Sequence, residues 1–324
     1  ILNYISFAFM ALLFGIFATK KADVIYAYHP PLTVGLAAIF IKFFRRIPIV
    51  YDIQDMWPDT LKATGMLNNQ KILNIVGHVC HLVYSYVDHI VVLCPGFKKL
   101  LIERGVSEDK VSVIYNWCDE NSLTQAERIK VDYKNLLKDR FNIIFAGNMG
   151  KAQSLDTILD VAKELKLESK IQFVFVGAGT ETDRLKQRVI HESIENIVFI
   201  PRLPMSEVGG VLDYADVLLV HLKRDPLFEI TVPSKTQAYM AIGKPLLMAV
   251  SGDAADLVQE AQCGRIARSE DVDNIKTAIL EIYHFPTDGH HQLGLNAKQF
   301  YDEKLSLSYG TQQFIEIFKR VKDA

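Results

Sequence analysis

The segment NIIFAGNMG at residues 142–150 decides the fold class, because a short apolar strand runs directly into a loop with two glycines. Four similar strands follow, and helical stretches separate them. These strands are predicted at residues 171–176, 197–200, 216–220 and 245–248. Strands that are apolar on both faces and joined by helices are typical of a parallel sheet covered on both sides. Residues 141–300 are therefore predicted to form one complete doubly wound unit.

The beginning of the chain shows the same alternation with fewer strands. Strands are predicted at 24–28, 48–52, 89–93 and 111–115, with helices at 31–44, 71–86 and 96–104. The sequence thus predicts an α/β protein with two Rossmann-like domains, the first in residues 1–120. Such domains normally open with a strand and a glycine-rich loop, and none precedes Ile1. We therefore expect a first domain that is incomplete at its N-terminus, in a chain that starts partway through a longer protein.

Two segments without a strand pattern complete the predicted organisation. Residues 121–140 are polar and highly charged, and they are predicted to form the interdomain connection. Residues 272–324 are predicted to be helical. Their last part, 301–324, is expected to be a C-terminal helix that packs back towards the first domain.

The composition limits the class of protein and its compartment. Hydrophobic residues make up 49% and charged residues 23% of the 324 residues, which is typical of a folded chain with well-buried cores. The net charge of −2 gives no reason to expect nucleic acid as a partner. The four cysteines lie far apart, which argues against a zinc site or a disulfide framework and favours a reducing, cytoplasmic compartment.

The first eighteen residues are almost wholly apolar. Because a spanning helix needs about 20 such residues, three interpretations stay open: a buried helix, an interfacial helix or a marginal transmembrane segment. Basic clusters lie nearby, at Lys20 and Lys21, at Lys42, Arg45 and Arg46, and at Lys98 and Lys99. Solvated helix ends explain each cluster alone. Together with the apolar start they favour an anionic membrane surface as a partner.

Two strand ends in residues 141–300 are suited to a phosphate-bearing ligand, because ligands of open α/β sheets bind where strands end. After the first strand, Gly147 and Gly150 allow close backbone approach, and Lys151 adds a positive charge. After the second strand, Gly177 and Gly179 form a G-x-G without the third glycine of the dinucleotide fingerprint. A plain tight turn would also explain this G-x-G, and its form argues against a standard NAD site.

The third strand end is the most informative, and residues 228–245 there read FEITVPSKTQAYMAIGKP. Pro233 is predicted to be the first residue of a helix, so that the preceding amides and the helix dipole would face a diphosphate. Lys235 would supply a further cation, and Glu229 an acceptor for sugar hydroxyls. An ordinary capped helix with a surface lysine is the alternative.

Residues 229–245 resemble the donor site of glycosyltransferase family 4, a family of retaining enzymes with the GT-B fold. In that family a Glu is followed after seven residues by a second Glu and a small-residue helix that ends in Gly-Lys-Pro. Glu229 takes the place of the first Glu and Gln237 that of the second. Further matching segments, in the family's order, are DVIYAYHPP at 23–31, YDIQDMWP at 51–58, AGNMG at 146–150, VGAG at 176–179 and YADVL at 214–218. The match is closest to bacterial O-antigen and capsule N-acetyl-fucosamine transferases.

Three positions depart from the family pattern. Gln237 lacks the charge with which the second Glu holds the ribose hydroxyls. Asn148 and Gln153 stand where family members often have an Arg and a Lys, so that diphosphate neutralisation falls on other cations. In the first domain, Gln54 replaces the His of a frequent His-Asp pair. His29 is then the remaining histidine candidate, with a capping or packing role as the alternative.

The resemblance implies transfer of a sugar with retention of configuration, without a required metal and without a cofactor. Catalytic roles are implied for Glu229 and Lys235, with His29 and Asp55 facing the acceptor. The implied donor-binding residues are Gly147, Asn148, Gly150, Lys151, Gly177, Gly179, Arg202, Ile230, Thr231, Val232, Ser234 and Gln237. Residues 1–120 would form the acceptor side and residues 141–300 the nucleotide-sugar side.

The resemblance implies a nucleotide-sugar donor as a partner. The apolar start and the basic clusters favour an undecaprenyl-linked saccharide at the inner face of the cytoplasmic membrane as the acceptor. Two other functions remain open. A nucleotide-sugar 2-epimerase shares the two-domain fold, but it would need carboxylates that act on the sugar ring. A non-catalytic paralogue that binds a nucleotide sugar is the other alternative, because of the substitutions at Asn148, Gln153 and Gln237.

Overall fold

The computed structural model describes residues 2–124 and 131–323. The chain divides into two compact units. Unit 1 comprises Ile1–Tyr115 and Gly310–Ala324, and unit 2 comprises Asn116–Tyr309. Part of the predicted connection at 121–140 lies outside the described residues, and the described part of it belongs to unit 2.

Unit 1 contains a parallel four-stranded sheet in the order β1-β2-β3-β4. The strands are β1 (Ile25–His29), β2 (Ile49–Ile53), β3 (His89–Val92) and β4 (Val111–Val113). The helices are α1 (Leu2–Phe17), α2 (Thr33–Arg45), α3 (Asp59–Ala63), α4 (Gln70–Tyr86), α5 (Pro95–Glu103), a 3-10 helix at Glu108–Lys110 and most of the last helix, α16 (Leu307–Asp323). All four predicted strands are present, with ends shifted by no more than a few residues.

A small apolar cluster joins the last helix to the sheet of unit 1. Val50 of β2 and Val91 of β3 are buried against Ile317 and Val321 of α16. Because these α16 residues are four positions apart, they lie on one face of the helix. The apolar face of α16 therefore covers this side of the sheet.

Helix α1 lies against α2, and none of its residues is buried. Gly15 is the close contact, since a side chain there would meet Ile41 of α2. Many large apolar side chains of α1 are exposed, namely those of Leu2, Tyr4, Ile5, Phe7, Phe9, Met10, Leu13, Phe14 and Phe17. The interpretation of this segment as a buried helix is therefore wrong for the structure described. In residues 2–124 and 131–323, no helix has the length and apolarity needed to cross a membrane.

Two cations of the basic clusters are engaged inside unit 1. Lys42 pairs with Asp88 at 2.7 Å. Arg45 donates to the carbonyl oxygen of Gly15 at 2.9 Å and so ties α2 to α1. Lys42 and Arg45 therefore have a structural role in unit 1. Such a role agrees better with the interpretation of these residues as ordinary helix-end cations than with a role in binding a membrane.

Unit 2 contains a parallel six-stranded sheet in the order β10-β9-β8-β5-β6-β7. The strands are β5 (Phe141–Asn148), β6 (Ile171–Ala178), β7 (Ile197–Ile200), β8 (Val217–His221), β9 (Leu246–Ala249) and β10 (Gly264–Ile266). The strand order reverses between β5 and β8, and such a reversal opens a crevice at the carboxyl ends of the strands. The prediction of a doubly wound α/β unit is confirmed.

Helices of unit 2 connect the strands of this sheet, and two further helices of this unit follow the last strand in the chain. They are α6 (Glu120–Thr124), α7 (Val131–Leu137), a 3-10 helix at Lys151–Gln153, α8 (Leu155–Glu164), α9 (Thr182–His191), α10 (Met205–Leu212), α11 (Pro226–Glu229), α12 (Lys235–Ile242), α13 (Asp253–Glu260), α14 (Val272–Tyr283) and α15 (Thr287–Lys304). The short strand β10 was not predicted, because its three residues are too few for a recognisable pattern.

One predicted helix boundary is wrong. Helix α12 begins at Lys235, after Ser234, so Pro233 precedes the helix instead of being its first residue. A separate short helix, α11, stands before it and is capped by Asp225, whose side chain accepts from the backbone N–H of Leu227. The chain therefore uses residues 230–234 as a connection between two helices.

Candidate functional site

A cavity of about 360 Å³ opens in unit 2 at the carboxyl ends of β5 and β6. This volume lies within the usual range for small-molecule sites. The lining residues are Leu123, Ala146, Gly147, Asn148, Val176, Gly177, Ala178, Arg202, Leu203, Val208, Leu212, Lys235, Ala238 and Tyr239. The cavity is therefore beside the reversal of strand order, where an open α/β sheet binds its ligand.

The floor of the cavity is built from two adjacent glycines. Gly147 of β5 and Gly177 of β6 are paired in the sheet register. Their φ angles are +141° and +133°, which favour glycine. A Cβ on Gly177 would lie 2.1 Å from the carbonyl oxygen of Gly147, so a side chain cannot be accommodated there. The two strand ends thus present bare backbone to the cavity, as the sequence predicted.

Lys235 places an ammonium group over this floor. Its Nζ would be 3.2 Å from a Cβ on Gly147 and lies 3.5 Å from the ring centroid of Phe145. The Nζ atom is buried and has no hydrogen-bond partner among the described residues, although the rest of the side chain is partly exposed. Burial lowers the pKa of Lys235 to about 7. An unpaired cation of this kind favours an anionic ligand.

Tyr239 holds the helix that carries this lysine. It follows Lys235 by one turn of α12, and so lies on the same face of the helix. The Tyr239 hydroxyl accepts from the backbone N–H of Ala146 at 2.8 Å. Because Ala146 is next to Gly147, this bond fixes α12 against the end of β5. The sequence analysis did not identify Tyr239, although its spacing from Lys235 could have indicated it.

The loop after β5 is partly bonded to itself. The N–H of Gly150 donates to the side-chain oxygen of Gln153 at 3.0 Å, so this amide is not available to a ligand. Lys151 is exposed and does not line the cavity, whereas Asn148 does. Gly179 also lies outside the lining, and its lack of a side chain lets the backbone of Met149 approach. Direct ligand contact by Gly150, Lys151 and Gly179 is therefore not supported by this geometry.

The backbone amides of the connection before α12 do not point where the sequence analysis expected. The backbone N–H groups of Ile230 and Thr231 both point at the carbonyl oxygen of Phe228, the second at 3.4 Å. Their amides are thus engaged inside the chain and do not face a diphosphate. Glu229 is exposed at the end of α11 and does not line the cavity.

Three further candidates in this segment also lie away from the cavity lining. Val232 is buried in the core, and Ser234 is exposed at the start of α12. Gln237 is 1% exposed, and its amide, oriented to suit its neighbours, donates to the carbonyl oxygens of Ser234 and Pro233. The next residue, Ala238, lines the cavity instead. The ribose role of Gln237 stays a prediction, and in this structure its side chain bonds to two carbonyl oxygens that precede α12.

The remaining lining is mostly apolar and comes from separate elements. Leu123 of α6, Leu203 before α10, and Val208 and Leu212 of α10 form it. Arg202 also lines the cavity and is the second basic residue of its lining, with Lys235. A lining that combines apolar side chains with two basic ones suits a ligand with a planar ring and a phosphate chain. The apolar residues were missed because no motif links them in the sequence.

The two candidates of unit 1 differ in exposure. His29 ends β1 and is 1% exposed, with the rings of Tyr51 and Trp57 around it. Neither ring nitrogen has a hydrogen-bond partner among the described residues, and burial lowers the pKa of His29 to about 4. This placement favours the packing alternative for His29. Asp55 follows β2 and is half-buried, which raises the pKa of its carboxyl group.

Comparison with protein families identifies the class of this chain. The model for glycosyl transferases group 1 matches residues 128–300, which is more than half of the chain. A model for a glycosyl transferase 4-like domain matches residues 3–117. The chain therefore belongs to the group 1 glycosyltransferases, as its resemblance to family 4 predicted.

Two bacterial relatives of the chain are named as glycosyltransferases, one of them for colanic acid biosynthesis. The chain is 26% identical over 264 residues to the probable glycosyltransferase WbjE of Pseudomonas aeruginosa, covering 79% of this chain and 66% of WbjE. It is 25% identical over 205 residues to the putative colanic acid biosynthesis glycosyl transferase WcaI of Escherichia coli, covering 60% of this chain and 49% of WcaI. The chain thus spans about half to two thirds of the length of these relatives.

Solved structures confirm the fold. HepE of Anabaena, in complex with UDP, superimposes with a TM-score of 0.76 at 15% identity, covering 98% of this chain and 82% of HepE. A UDP-forming trehalose-phosphate synthase of Burkholderia xenovorans gives a TM-score of 0.77 at 15% identity, covering 99% of this chain and 79% of the synthase. The fold is therefore GT-B, with two parallel α/β sheets of four and six strands.

Proposed function

We propose that this protein is a retaining glycosyltransferase that uses a nucleotide-diphosphate sugar, with a UDP-N-acetylated sugar as the favoured donor. The observation that carries the proposal is the buried, unpaired ammonium of Lys235 above the bare backbone of Gly147 and Gly177. A diphosphate offers the negative charge that this ammonium lacks, and the apolar lining suits a nucleobase. The binding of UDP by HepE, which shares the fold, agrees with this choice of nucleotide.

The reaction needs stabilisation of the leaving group above all. The oxygen of an acceptor hydroxyl bonds to the anomeric carbon as the bond from that carbon to the β-phosphate oxygen breaks. The acceptor proton passes to the departing diphosphate on the same face, so configuration is retained. Lys235 and Arg202 would stabilise the charge that develops on the diphosphate. Glu229, at the end of α11, is proposed to orient hydroxyls of the donor sugar.

The acceptor is proposed to be a lipid-linked saccharide of the undecaprenyl type, in bacterial surface polysaccharide synthesis such as O-antigen assembly. The relation to WbjE and WcaI supports this class of pathway. The resemblance to N-acetyl-fucosamine transferases supports an N-acetylated sugar. Asp55 is proposed to face the acceptor.

A peripheral position at the inner face of the cell membrane is part of this proposal. The exposed apolar face of α1 would lie among lipids, and Lys20 and Lys21 directly after it would meet anionic headgroups. Sedimentation with anionic and with zwitterionic vesicles tests this part separately. If the protein binds neither kind of vesicle, the membrane is removed from the proposal. The proposal for the donor site does not depend on this result.

Calorimetry with UDP, UDP-N-acetylglucosamine and NAD tests the donor site directly. We expect UDP to bind in the presence of EDTA and NAD not to bind. Lys235→Met keeps most of the buried volume but removes the charge, and it should weaken UDP binding roughly tenfold or more. Lys244→Ala is the matched control, because its Nζ donates to the carbonyl oxygen of Asp213 outside the cavity. A folded chain that binds no uridine nucleotide would contradict the assignment.

The two alternatives make different predictions for turnover. A transferase releases UDP from UDP-N-acetylglucosamine substantially faster when a lipid-linked acceptor is added. An epimerase would convert the donor without an acceptor, and a non-catalytic paralogue would bind the donor and release nothing. Glu229→Ala should lower acceptor-dependent turnover with little effect on UDP binding, because the carboxylate lies outside the cavity that receives the diphosphate.

A further inference from the structure

His221, the last residue of β8, is a fully buried histidine that bonds to two backbone groups. Its Nδ1 lies 2.7 Å from the carbonyl oxygen of Gln153, and its Nε2 accepts from the backbone N–H of Glu270 at 3.2 Å. A neutral imidazole with its proton on Nδ1 satisfies both bonds, because the carbonyl only accepts and the amide only donates. Burial also lowers the pKa of His221 and so favours this neutral form.

Both bonds reach positions of backbone strain. Gln153 directly precedes Ser154, whose φ is +45°, and Glu270 itself has a φ of +59°. Residues other than glycine keep such angles only where the surrounding structure holds them, and they gather at functional sites. The Ser154 hydroxyl also donates to the Glu270 carboxylate at 2.5 Å. His221 thus bonds to Glu270 directly and to the residue before Ser154, and these two strained residues are bonded to each other.

The loop held in this way borders the cavity. Residues 149–154 follow β5, and Asn148, the last residue of that strand, lines the cavity. Gln153 closes the loop through its bond to the N–H of Gly150. The extension of β8 adds another bond, from the N–H of Lys223 to the carbonyl oxygen of Ala152 at 2.9 Å. The bonds from His221 and from Lys223 therefore anchor the far end of this loop to the end of β8.

We propose that His221 is a positioning residue for the donor diphosphate. It does not line the cavity, and it acts through residues 149–154, in which the side-chain oxygen of Gln153 lies 3.4 Å from the side-chain amide nitrogen of the lining residue Asn148. By holding this loop, His221 keeps Asn148 in the conformation that receives the donor. A loop that is ordered before binding loses less entropy when the ligand arrives. This inference rests on the proposed function, since it takes the cavity as the donor site.

Three variants test it. His221→Leu fills the buried space and removes both bonds, whereas His221→Asn retains an amide N–H in place of Nδ1–H. His290→Leu is the matched control, because His290 also bonds to a backbone carbonyl, that of Ile282 at 2.6 Å, but lies outside the cavity lining. UDP affinity is measured by calorimetry, and hydrogen exchange is measured at the amides of residues 150–154.

We expect His221→Leu to weaken UDP binding roughly tenfold and to accelerate amide exchange in residues 150–154. His221→Asn should recover most of both properties, and His290→Leu should change neither. Wild-type affinity and exchange in His221→Leu would overturn the inference. Equal losses in the Leu and Asn variants would overturn it as well, because packing alone would then explain them. If the wild type binds no UDP while exchange changes as expected, the proposed function fails and the ordering of the loop by His221 stands.

Discussion

The ammonium of Lys235 lies 3.5 Å from the ring centroid of Phe145 and has no hydrogen-bond partner among the described residues. The face of an aromatic ring attracts a cation, but it does not replace the hydrogen bonds that the ammonium loses on leaving water. Burial therefore brings the pKa of Lys235 down to about 7. A pKa this close to neutrality makes the charge of Lys235 depend on pH and on a neighbouring anion.

The first prediction concerns the pH dependence of UDP binding. A bound diphosphate favours the charged form of Lys235 and raises its pKa, so binding near pH 7 takes up about half a proton. Affinity should then fall as pH rises between about 7.5 and 9, because the empty site loses its charge while the diphosphate keeps its own. Calorimetry in buffers of different ionisation enthalpy measures the proton uptake.

Lys235→Met serves as the control for this prediction, since it has no proton to exchange at this position. Its weaker UDP binding should be independent of pH over the same range. A wild-type affinity that is constant from pH 7.5 to 9, without proton uptake, would show that another group neutralises the diphosphate.

The second prediction concerns the glycine pair. Gly177→Ala places a Cβ 2.1 Å from the carbonyl oxygen of Gly147, so β5 and β6 must separate where the cavity begins. We expect a loss of about 2 kcal/mol or more in the free energy of unfolding, together with loss of UDP binding. Urea denaturation and calorimetry measure the two effects.

Gly65→Ala separates the steric contact from the backbone angle. Gly65 has a φ of +75°, but a Cβ there would meet no atom within 4 Å. Its substitution should therefore cost only about 1 kcal/mol and leave UDP binding intact. Equal costs at Gly65 and Gly177 would contradict the close approach of the two strands.

The third prediction concerns acid stability in unit 1. Burial lowers the pKa values of His29 and His89 to about 4, below the value of about 6.5 expected in the unfolded chain. The unfolded state therefore binds more protons between these values. The stabilising contribution of each neutral imidazole is complete above about pH 6.5 and is lost as pH falls towards 4, by about 1–3 kcal/mol for fully buried His29.

Urea denaturation at several pH values between 7 and 4 measures this loss. His29→Phe keeps an aromatic ring among Tyr51 and Trp57 but has no proton to bind, so its stability should fall less steeply with acid. Identical slopes for the variant and the wild type would show that His29 remains accessible to protons in the folded state.

Much of the fold could be predicted because its pattern is local. Apolar strands such as those that end at Gly147 and Gly177 alternate with helices, and strand ends of a parallel sheet meet at one edge. Lys235 could be found because the short motif around Pro233 predicts that a helix begins there, and α12 does begin at Lys235. The apolar side of the cavity could not be predicted, because Leu123 and Leu203 come from distant segments that only folding brings together.

The family motif gave positions but not the directions of side chains and amides. Each residue of an α-helix turns by about 100°, so a shift of one position changes the face on which a side chain lies. Gln237 therefore bonds to Pro233 and Ser234 inside the chain, and Ala238 lines the cavity. The amides of Ile230 and Thr231 point at a carbonyl because α11, too short for a periodic pattern, ends directly before them.

The sequence by itself determined the two α/β units, the glycines at the strand ends and the family, because these depend on periodicity and on short motifs. Only the tertiary structure decided which candidates are accessible and which are paired. It buried His29 between aromatic rings, left the ammonium of Lys235 without a partner and held the loop at Gln153 through His221. Burial and hydrogen bonding depend on residues that are distant in the chain, and these neighbours exist only after folding.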